Sequence, residues 1–273
     1  MTGEQKSFKQ LEQEGFHAKA HAYGNYVGAI TAQAVEPVLD AVQTTQNTHF
    51  LDVATGPGYF AGGAAARGAQ AVGVDFAPNM VVEATQRFPN ATFRQGDAEA
   101  LDFETGTFDA VTCPFGLLHF ADADQAIAEA FRVLKPGGWY AFTVWDTPDK
   151  HDFFGIILDA LQTHGMMDIP LPEAPPIFRF SDPLESERVL TEAGFTDVRV
   201  EGLPLVWETN AAEDLLLLLE YGTVRTQMLL QMQPEDHLKR IYKAIYEGAS
   251  RLERDGRFVF SWPAVMSVGR KPL

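Results

Sequence analysis

The stretch from Phe50 to Ala61, FLDVATGPGYFA, constrains the fold more than any other part of the chain. It begins with the apolar pattern of a buried strand, breaks at Gly56-Pro57-Gly58 and resumes as an alanine-rich helix. Glycines allow a tight turn and the close approach of a ligand, and the helix begins with unpaired N–H groups. The stretch therefore predicts a nucleotide-type ligand. Its spacing, Gly56-x-Gly58-x-x-Ala61, fits a nicotinamide dinucleotide and several other nucleotides equally well.

Strand and helix patterns alternate from this stretch as far as Trp145. Short apolar segments predict strands at 49–53, 69–74, 91–95, 108–113 and 139–145. Segments with helical periodicity lie between them, at 58–67, 78–88 and 123–134. Strands separated by helices of this length predict a mostly parallel sheet with right-handed crossovers, which is a doubly wound α/β fold. In such a sheet the ligand binds beyond the carboxyl ends of the strands.

The segments outside this alternation predict further helices around the sheet. Residues 1–47 indicate an N-terminal helical lid, and residues 48–273 the main domain. A helical insert at about 211–250 separates two late strands, at 198–207 and near 264–268, and predicts a second lid element beside the ligand. Its apolar positions suit an apolar or aromatic ligand, although core packing or a homodimer contact explains them equally well. These positions are Leu216, Leu219, Tyr221, Met228, Leu229 and Met232.

The formal net charge of −16 excludes classes of partner. Such a field repels nucleic acid and anionic membrane surfaces, so neither is predicted as a partner. The single cysteine, Cys113, is typical of a reducing compartment, and no apolar run approaches the roughly 20 residues of a membrane span. These features predict a cytoplasmic protein without a membrane span. His17 and His21 share a helix face, but no third ligand has suitable spacing, so no metal site is predicted.

Polar side chains stand where the predicted strands end, namely at Asp52, Asp75, Asp97 and Cys113. Because the carboxyl ends of parallel strands meet at one edge of a sheet, we expect them to lie around one ligand. Asp75 closes the second strand, where a carboxylate can accept both ribose hydroxyls of an adenosine. Asp52 disfavours a pyrophosphate beside the turn and suits an ammonium group instead. Asp97 can accept from an adenine amino group, and Ala98 leaves backbone exposed beside the ring.

Five motifs, taken in order, resemble those of the class I S-adenosylmethionine-dependent methyltransferases. They are Leu51–Gly58, Val74-Asp75, Gly96–Glu99, Phe108–Val111 and Arg132–Gly138. Within that family the chain is similar to the group that includes the ubiquinone and menaquinone C-methyltransferases and many small-molecule methyltransferases. The resemblance covers about residues 50–145. It implies a mostly parallel, seven-stranded, Rossmann-like sheet with an antiparallel last strand and a helical lid.

The same resemblance implies S-adenosylmethionine as the cofactor and S-adenosylhomocysteine as its product. Around the methionine moiety it places Asp52, Ala54, Thr55, Gly56, Gly58 and the backbone of Cys113. Around the adenosine it places Asp75, Phe76, Met80, Asp97 and Ala98. Two features depart from the family pattern, and one of them is Pro57, which stiffens the turn. Ala54 stands where the first glycine is usual, and an alanine serves there if its φ is negative.

Methyl transfer from a sulfonium is an in-line displacement with a good leaving group, so alignment of the reactants supplies most of the acceleration. A base is needed where the acceptor must lose a proton, and His119, just past the fourth strand, is the candidate. A packing or capping role explains His119 as well. Tyr23, Tyr26, Trp145 and His151 are candidates for the acceptor pocket, and packing is the alternative for each.

These observations predict an enzyme that transfers a methyl group from S-adenosylmethionine to a small, apolar or aromatic acceptor at oxygen, nitrogen or carbon. Two alternatives stay open. The Gly-x-Gly-x-x-Ala spacing also suits a nicotinamide-dependent oxidoreductase. A cofactor site can also persist in a binding or regulatory protein that has no turnover.

Overall fold

The computed structural model describes residues 6–24 and 26–273, so residues 1–5 and 25 of the predicted N-terminal lid lie outside the described residues. A seven-stranded sheet forms the centre of the molecule, and a three-stranded sheet lies beside it. The strands, in chain order, are β1 (His49–Val53), β2 (Gln70–Asp75), β3 (Thr92–Gln95), β4 (Phe108–Pro114), β5 (Leu134–Trp145), β6 (Thr196–Leu203), β7 (Val206–Thr209), β8 (Glu253–Arg254), β9 (Arg257–Ser261) and β10 (Ala264–Arg270).

The central sheet has the order β3-β2-β1-β4-β5-β10-β6. Strands β1 to β5 pair in parallel, whereas β10 is antiparallel to both β5 and β6. The predicted doubly wound sheet of seven strands with an antiparallel last strand is confirmed. The strand order reverses between β1 and β4, and this switch point opens a crevice at the carboxyl ends of the strands.

The helices of the described residues cover both faces of the sheet. They are α1 (Phe8–Tyr23), α2 (Val27–Thr31), α3 (Val35–Ala41), α4 (Tyr59–Ala66), α5 (Pro78–Arg87), α6 (Ala123–Val133), α7 (Asp152–His164), α8 (Pro183–Glu192), α9 (Asp214–Gly222), α10 (Arg225–Gln231) and α11 (Glu235–Ser250). Local signals set several of their starts. Ser7 and Gln10 form a capping box before α1, and the Asp122 side chain accepts from Gln125 N at the start of α6.

The central strands are apolar on both faces because helices cover both. In β1, Phe50 and Leu51 are both fully buried, yet they belong to separate hydrophobic clusters on opposite sides of the sheet. This arrangement explains why β1 reads as a continuous apolar run rather than as an alternating one. It also leaves the strand end, at Asp52 and Val53, as the place where polar groups of the sheet edge come together.

The three-stranded sheet, in the order β7-β9-β8, was absent from the prediction, which had a single strand at 198–207. Proline explains the difference, since it has no N–H to donate to a ladder. Pro204 ends β6 before β7 begins, and Pro263 separates β9 from β10. Strands β7 and β9 therefore leave the central sheet at the same level, because Leu203 at the end of β6 pairs with Ala264 at the start of β10. They belong to the small separate sheet, and helices α9, α10 and α11 follow β7 in the chain.

Helix α1 packs across the carboxyl edge of the sheet, against α5 and α9. Its Phe16 and Ala20 are buried with Met80, Ala77 and Val224. The division into a lid at 1–47 and a main domain remains a prediction. None of the helices in the described ranges combines the length and the apolar character that crossing a membrane requires.

Candidate active site

The turn after β1 is built from left-handed backbone. The φ angles are +55° at Ala54, +52° at Gly56 and +88° at Gly58. The negative φ under which an alanine would serve at this position is therefore not present. A left-handed alanine costs about 1–2 kcal/mol, and such strain persists only where its surroundings hold it. Thr55 N supplies that hold by donating to Val74 O at 2.9 Å, which ties the turn to β2.

Gly58 has a packing role rather than a ligand-facing one. A Cβ there would lie 2.8 Å from the Phe93 ring and 2.9 Å from Ala84 Cβ, so only glycine lets α4 start this close to β3 and α5. Gly56 differs, because a Cβ there would meet no atom within 4 Å. Gly56 faces open space, and a ligand can approach its backbone.

Asp75 connects the turn to the next helix. Its Oδ2 accepts from Gly56 N at 2.8 Å and its Oδ1 from Ala77 N at 2.9 Å. The side chain is almost fully buried, and this burial raises the pKa of Asp75 to about 6. The carboxylate thus shapes the glycine turn, and it also lies on the wall of the cavity that the turn borders.

Asp52 lies behind the turn. It was predicted to bind the cofactor, but it is not on the wall of the cavity that the turn borders. Its Oδ2 accepts from Thr55 Oγ1 at 2.6 Å and from Ala61 N at 3.3 Å, and its Oδ1 from Thr112 Oγ1 at 2.9 Å. Complete burial raises the pKa of Asp52 to about 7. Because both oxygens are engaged by α4, β4 and the turn, Asp52 acts on a ligand only through the shape of the turn.

Replacing Asp52 by asparagine is expected to flatten the pH dependence of stability. A folded-state pKa raised above the unfolded value gives stability that is present at about pH 4 and lost as pH rises through about 7. Over that window the free energy of unfolding of the natural protein should fall, relative to the variant, on the order of 3 kcal/mol. Urea unfolding from pH 4.5 to 8 measures it. The exposed Asp236→Asn variant is the control, and a natural profile parallel to that of Asp52→Asn would contradict the assignment.

The turn borders a cavity with about 630 Å³ of empty space. A smaller void of about 320 Å³ adjoins this cavity, and Ala54, Asp75 and Phe76 line both spaces. Between them, these spaces are lined by most of the predicted cofactor residues. These are Ala54, Thr55, Gly56, Asp75, Phe76, Met80, Asp97 and Ala98. The structure therefore brings the strand-end residues together along one channel, from the glycine turn to the end of β3.

Asp97 has a partner that the sequence did not indicate. Lys9 of α1 donates to Asp97 Oδ2 at 2.6 Å and to Glu99 Oε2 at 2.7 Å. Asp97 Oδ1 accepts from Glu99 N at 3.0 Å. A group that binds at the Asp97 end of the channel thus shares this carboxylate with α1.

Cys113 does not reach the channel, contrary to the prediction. Strand β4 runs one residue further than expected, and Cys113 pairs with Phe142 inside the sheet. The next residues, Pro114, Phe115 and Gly116, form the wall instead. Burial raises the pKa of the Cys113 thiol far above its ordinary value. The thiol therefore stays protonated and packs as an apolar group.

His119 follows β4 and borders both the channel and a second large cavity. Its Nδ1 lies 2.7 Å from Oε2 of Glu12, a carboxylate of α1 that is only 3% exposed. The Phe16 ring stands edge-on to the imidazole, with 4.7 Å between the ring centres. Glu12 was not among the predicted site residues. One signal for it existed, since Glu12 interrupts the buried stripe of Phe8, Phe16 and Ala20 at four-residue spacing.

The second cavity holds about 720 Å³ of empty space, part of it open to solvent. One side of its wall is aromatic, and Glu12 and Arg225 also line it. Trp145 lines it, as predicted, and stacks on Phe115 with 4.1 Å between the ring centres. Phe153, Phe154 and Trp262 complete the aromatic side. Tyr23, Phe115 and His119 line both this cavity and the glycine-turn channel. The two spaces therefore meet at these three side chains.

Two predicted acceptor residues lie off this wall. His151 is 1% exposed and packed behind Trp145 and Trp262, where burial lowers its pKa to about 3. Tyr26 stacks on Tyr221 with 5.3 Å between the ring centres, because α1 ends at Tyr23 and the chain turns towards α9. Neither side chain lines the cavity.

The insert does line the cavity, but with residues other than those predicted. Its contribution comes from Leu218 and from the connection between α9 and α10, at residues 222–226. The predicted positions lie elsewhere. Leu219 is buried in the core, for example, while Met232 is 47% exposed on the surface. Helix α9 thus lines the cavity with Leu218 and Gly222, and the turn after it and the first residues of α10 continue the wall.

Among residues 6–24 and 26–273, no group of three His, Cys, Asp or Glu side chains is arranged to hold a metal ion. The two histidines of α1 have protein partners. Asn79 Nδ2 donates to His17 O at 2.9 Å, and His21 Nδ1 lies 3.1 Å from Glu83 Oε1.

Residues 51–142 match the family described as the methyltransferase domain. The chain carries a class I S-adenosylmethionine-dependent methyltransferase domain. Relatives of this domain include demethylmenaquinone methyltransferases. That of Deinococcus radiodurans is 47% identical over 163 residues, 53% of this chain and 66% of that protein. That of Beutenbergia cavernae is 37% identical over 125 residues, 46% of this chain and 52% of that protein. The chain thus spans between about half and two thirds of the length of these relatives.

Several solved structures have the same fold as this chain over most of its length. The YcgJ protein of Bacillus subtilis has a TM-score of 0.58 at 20% identity, covering 88% of this chain and 98% of its own. Phosphoethanolamine N-methyltransferase 2 of Haemonchus contortus, solved with S-adenosylhomocysteine, has a TM-score of 0.52 at 20% identity. That likeness covers 87% of this chain and 52% of the Haemonchus chain. The [4+2]-cyclase SpnF has a TM-score of 0.52 at 18% identity, and the likeness covers 89% of this chain and 82% of the cyclase. These likenesses show the fold alone, and the cyclase shows that the fold serves other chemistry too.

Proposed function

We propose that the protein transfers a methyl group from S-adenosylmethionine to an aromatic, largely apolar acceptor of the hydroquinone class. One observation carries this proposal. The glycine-turn channel and the aromatic cavity meet at Tyr23, Phe115 and His119, so a donor in one space and an acceptor in the other would face each other there. Transfer by displacement needs that arrangement, since donor and acceptor must be aligned at contact distance.

The channel fits S-adenosylmethionine in shape and in polarity. At one end the backbone of Gly56 faces open space, which suits the amino-acid moiety. Asp75 lies midway and can accept from ribose hydroxyls. At the other end Asp97 and Ala98 border the smaller void, which suits an adenine ring. Phe76 and Met80 supply apolar surface between these points. The nicotinamide alternative is not favoured, because the matching family is that of methyltransferases.

The acceptor class follows from the aromatic cavity. Aromatic walls bind flat rings by stacking and edge contacts. Apolar side chains on the same wall, such as Leu118 and Leu218, suit an apolar substituent on that ring. The demethylmenaquinone methyltransferases among the relatives support this class of acceptor. A hydroquinone also explains a base at the junction, because a ring carbon becomes nucleophilic when a neighbouring hydroxyl loses its proton.

His119 is the group placed to take that proton. S-adenosylmethionine, when bound, supplies a methyl group whose carbon–sulfur bond breaks with its electron pair staying on sulfur. The ring carbon forms the new bond to the methyl carbon, and its hydrogen moves to the oxygen as the ring regains its aromaticity. The proton released overall is the one that the hydroxyl gives up before the transfer. His119 borders both spaces and can accept this proton at its Nε2, because its Nδ1 faces Glu12. Tyr23 and Phe115 exclude water between the reactants.

The proposal is tested with reduced 1,4-naphthoquinone as the acceptor. Incubation with S-adenosylmethionine should yield 2-methyl-1,4-naphthohydroquinone and S-adenosylhomocysteine in equal amounts, detected by mass spectrometry. Reduced 2,3-dimethyl-1,4-naphthoquinone is the matched control, because neither quinone-ring carbon retains a hydrogen. Calorimetry with S-adenosylhomocysteine runs alongside. Binding without turnover on phenols, amines and quinols would favour a silent binding protein, and stabilisation by NADH alone would favour an oxidoreductase.

We also infer a cytoplasmic location, without nucleic acid as a partner, and a homodimer. The single cysteine, which is buried, and the net charge of −16 support the first two inferences. Leu217 and Met232 of the insert are 38% and 47% exposed, which supports a contact between two copies. Sedimentation equilibrium tests the homodimer directly.

A further inference from the structure

We propose that Glu12 of α1 is a positioning residue, which holds the His119 imidazole with Nε2 directed to the acceptor's proton. This inference rests on the proposed function of His119. Oε2 of Glu12 lies 2.7 Å from His119 Nδ1. A carboxylate only accepts, so Nδ1 carries the hydrogen and Nε2 keeps its lone pair. Without such a partner the imidazole exchanges between two tautomers, and only one of them is a base at Nε2.

The burial of Glu12 argues that this contact has a use beyond stability. Glu12 is 3% exposed and occupies a position of the apolar stripe between Phe8 and Phe16. Burying a carboxylate is costly unless it is paired, and a leucine at such a position would stabilise the packing of α1 more. The pairing reaches 107 residues along the chain, so it is a tertiary contact and not part of helix formation.

Helix α1 is anchored on both sides of Glu12, which keeps the carboxylate in place. One turn before it, Lys9 pairs with Asp97 and Glu99 at 2.6 and 2.7 Å. The next residue, Gln13, donates from Nε2 to Phe76 O at 2.8 Å. Asp97, Glu99 and Phe76, which these two residues contact, all border the adenosine end of the channel. The helix that carries Glu12 is thus fixed to the proposed cofactor site, and its orientation of His119 depends on that docking.

Charged groups from several elements act on this pair. Glu12 faces His119 from α1, and Asp75 acts on it from the end of β2. Lys19 lies within range of Glu12, and its own pKa is lowered by burial to about 8. The imidazole is therefore flanked by carboxylates from two elements, α1 and the end of β2.

The first test compares Glu12→Gln with Glu14→Gln, an exposed glutamate on the same helix that pairs with Lys6. Glu12→Gln should lower kcat for the naphthohydroquinone about 10- to 100-fold, with KM and the affinity for S-adenosylhomocysteine within threefold. Glu12→Asp should recover part of the rate, because it restores a carboxylate that can accept from Nδ1. Glu14→Gln should match the natural protein, and a natural kcat in Glu12→Gln would overturn the inference.

The second test needs no turnover. Nitrogen-15 NMR of histidine-labelled natural protein, with the His119 signal assigned through His119→Asn, reports the tautomer among the seven histidines. We expect hydrogen on Nδ1 in the natural protein. Hydrogen on Nε2 would overturn the inference even in an active methyltransferase. The expected spectra in a protein that methylates no acceptor would instead overturn the proposed function and leave the Glu12–His119 pairing established.

Discussion

Replacing His119 by asparagine is expected to lower kcat about 10²- to 10⁴-fold, the range that removal of a general base produces. Asparagine cannot take a proton at the junction of the two cavities, while its amide can still donate to Glu12. The thermal midpoint should therefore change little, although Glu12 is buried. Rapid-quench measurement of methyl transfer to reduced 1,4-naphthoquinone separates this chemical step from product release.

The matched control is His21→Asn. His21 also lies beside a glutamate, Glu83, but its side chain is 93% exposed and far from the cavity wall. Its replacement should leave kcat unchanged. A natural rate in His119→Asn would show that alignment alone suffices for the reaction. His119 would then be a wall residue, and the acceptor would be one that reacts without losing a proton first.

The predicted site residues that line the channel or the aromatic cavity are those whose place is fixed by local pattern and by parallel-sheet geometry. Asp75 and Ala98 follow strands whose carboxyl ends must share one edge, so both were expected in one channel and both line it. The same logic placed Trp145 at the end of β5. No long-range contact was needed for these predictions, since the sheet itself brings the strand ends together.

The misplaced positions depend on contacts that are distant in sequence. Asp52 is turned inward by Thr112, which lies on a strand 60 residues away. Glu12 finds His119 across 107 residues. Tyr26 stacks on Tyr221 of α9 and therefore lies off the cavity wall. In each case the local pattern allowed two orientations, and a tertiary partner selected one. Ala54 is a further case, where a strained φ of +55° is held by neighbours on β2 and contradicts residue preference.

Replacing Asp75 by alanine is expected to weaken S-adenosylhomocysteine binding at least about 100-fold. Two hydrogen bonds from ribose hydroxyls to a charged acceptor are lost, each worth about 1.5–3 kcal/mol. From the sequence alone, this substitution at a strand end is expected to change the stability of the fold little. The structure predicts a loss of stability, because the carboxylate accepts hydrogen bonds from Gly56 N and Ala77 N. Leaving these donors without a partner should cost about 1–3 kcal/mol of unfolding free energy. Calorimetry and urea unfolding measure the two effects.

Asp75→Asn separates binding from folding. Its amide oxygen can keep one of the two backbone bonds, so the loss of stability should be smaller than in the alanine variant, while the charge is still removed. The pKa of about 6 adds a second signature. Below that pH the carboxylate of the natural protein is protonated, so its affinity for S-adenosylhomocysteine should fall between pH 7.5 and 5, whereas that of Asp75→Asn should not. A folded Asp75→Ala protein that binds the ligand within threefold of the natural protein would show that Asp75 shapes the turn without touching the ribose, and the channel would have to hold its ligand by Gly56 and the Asp97 end alone.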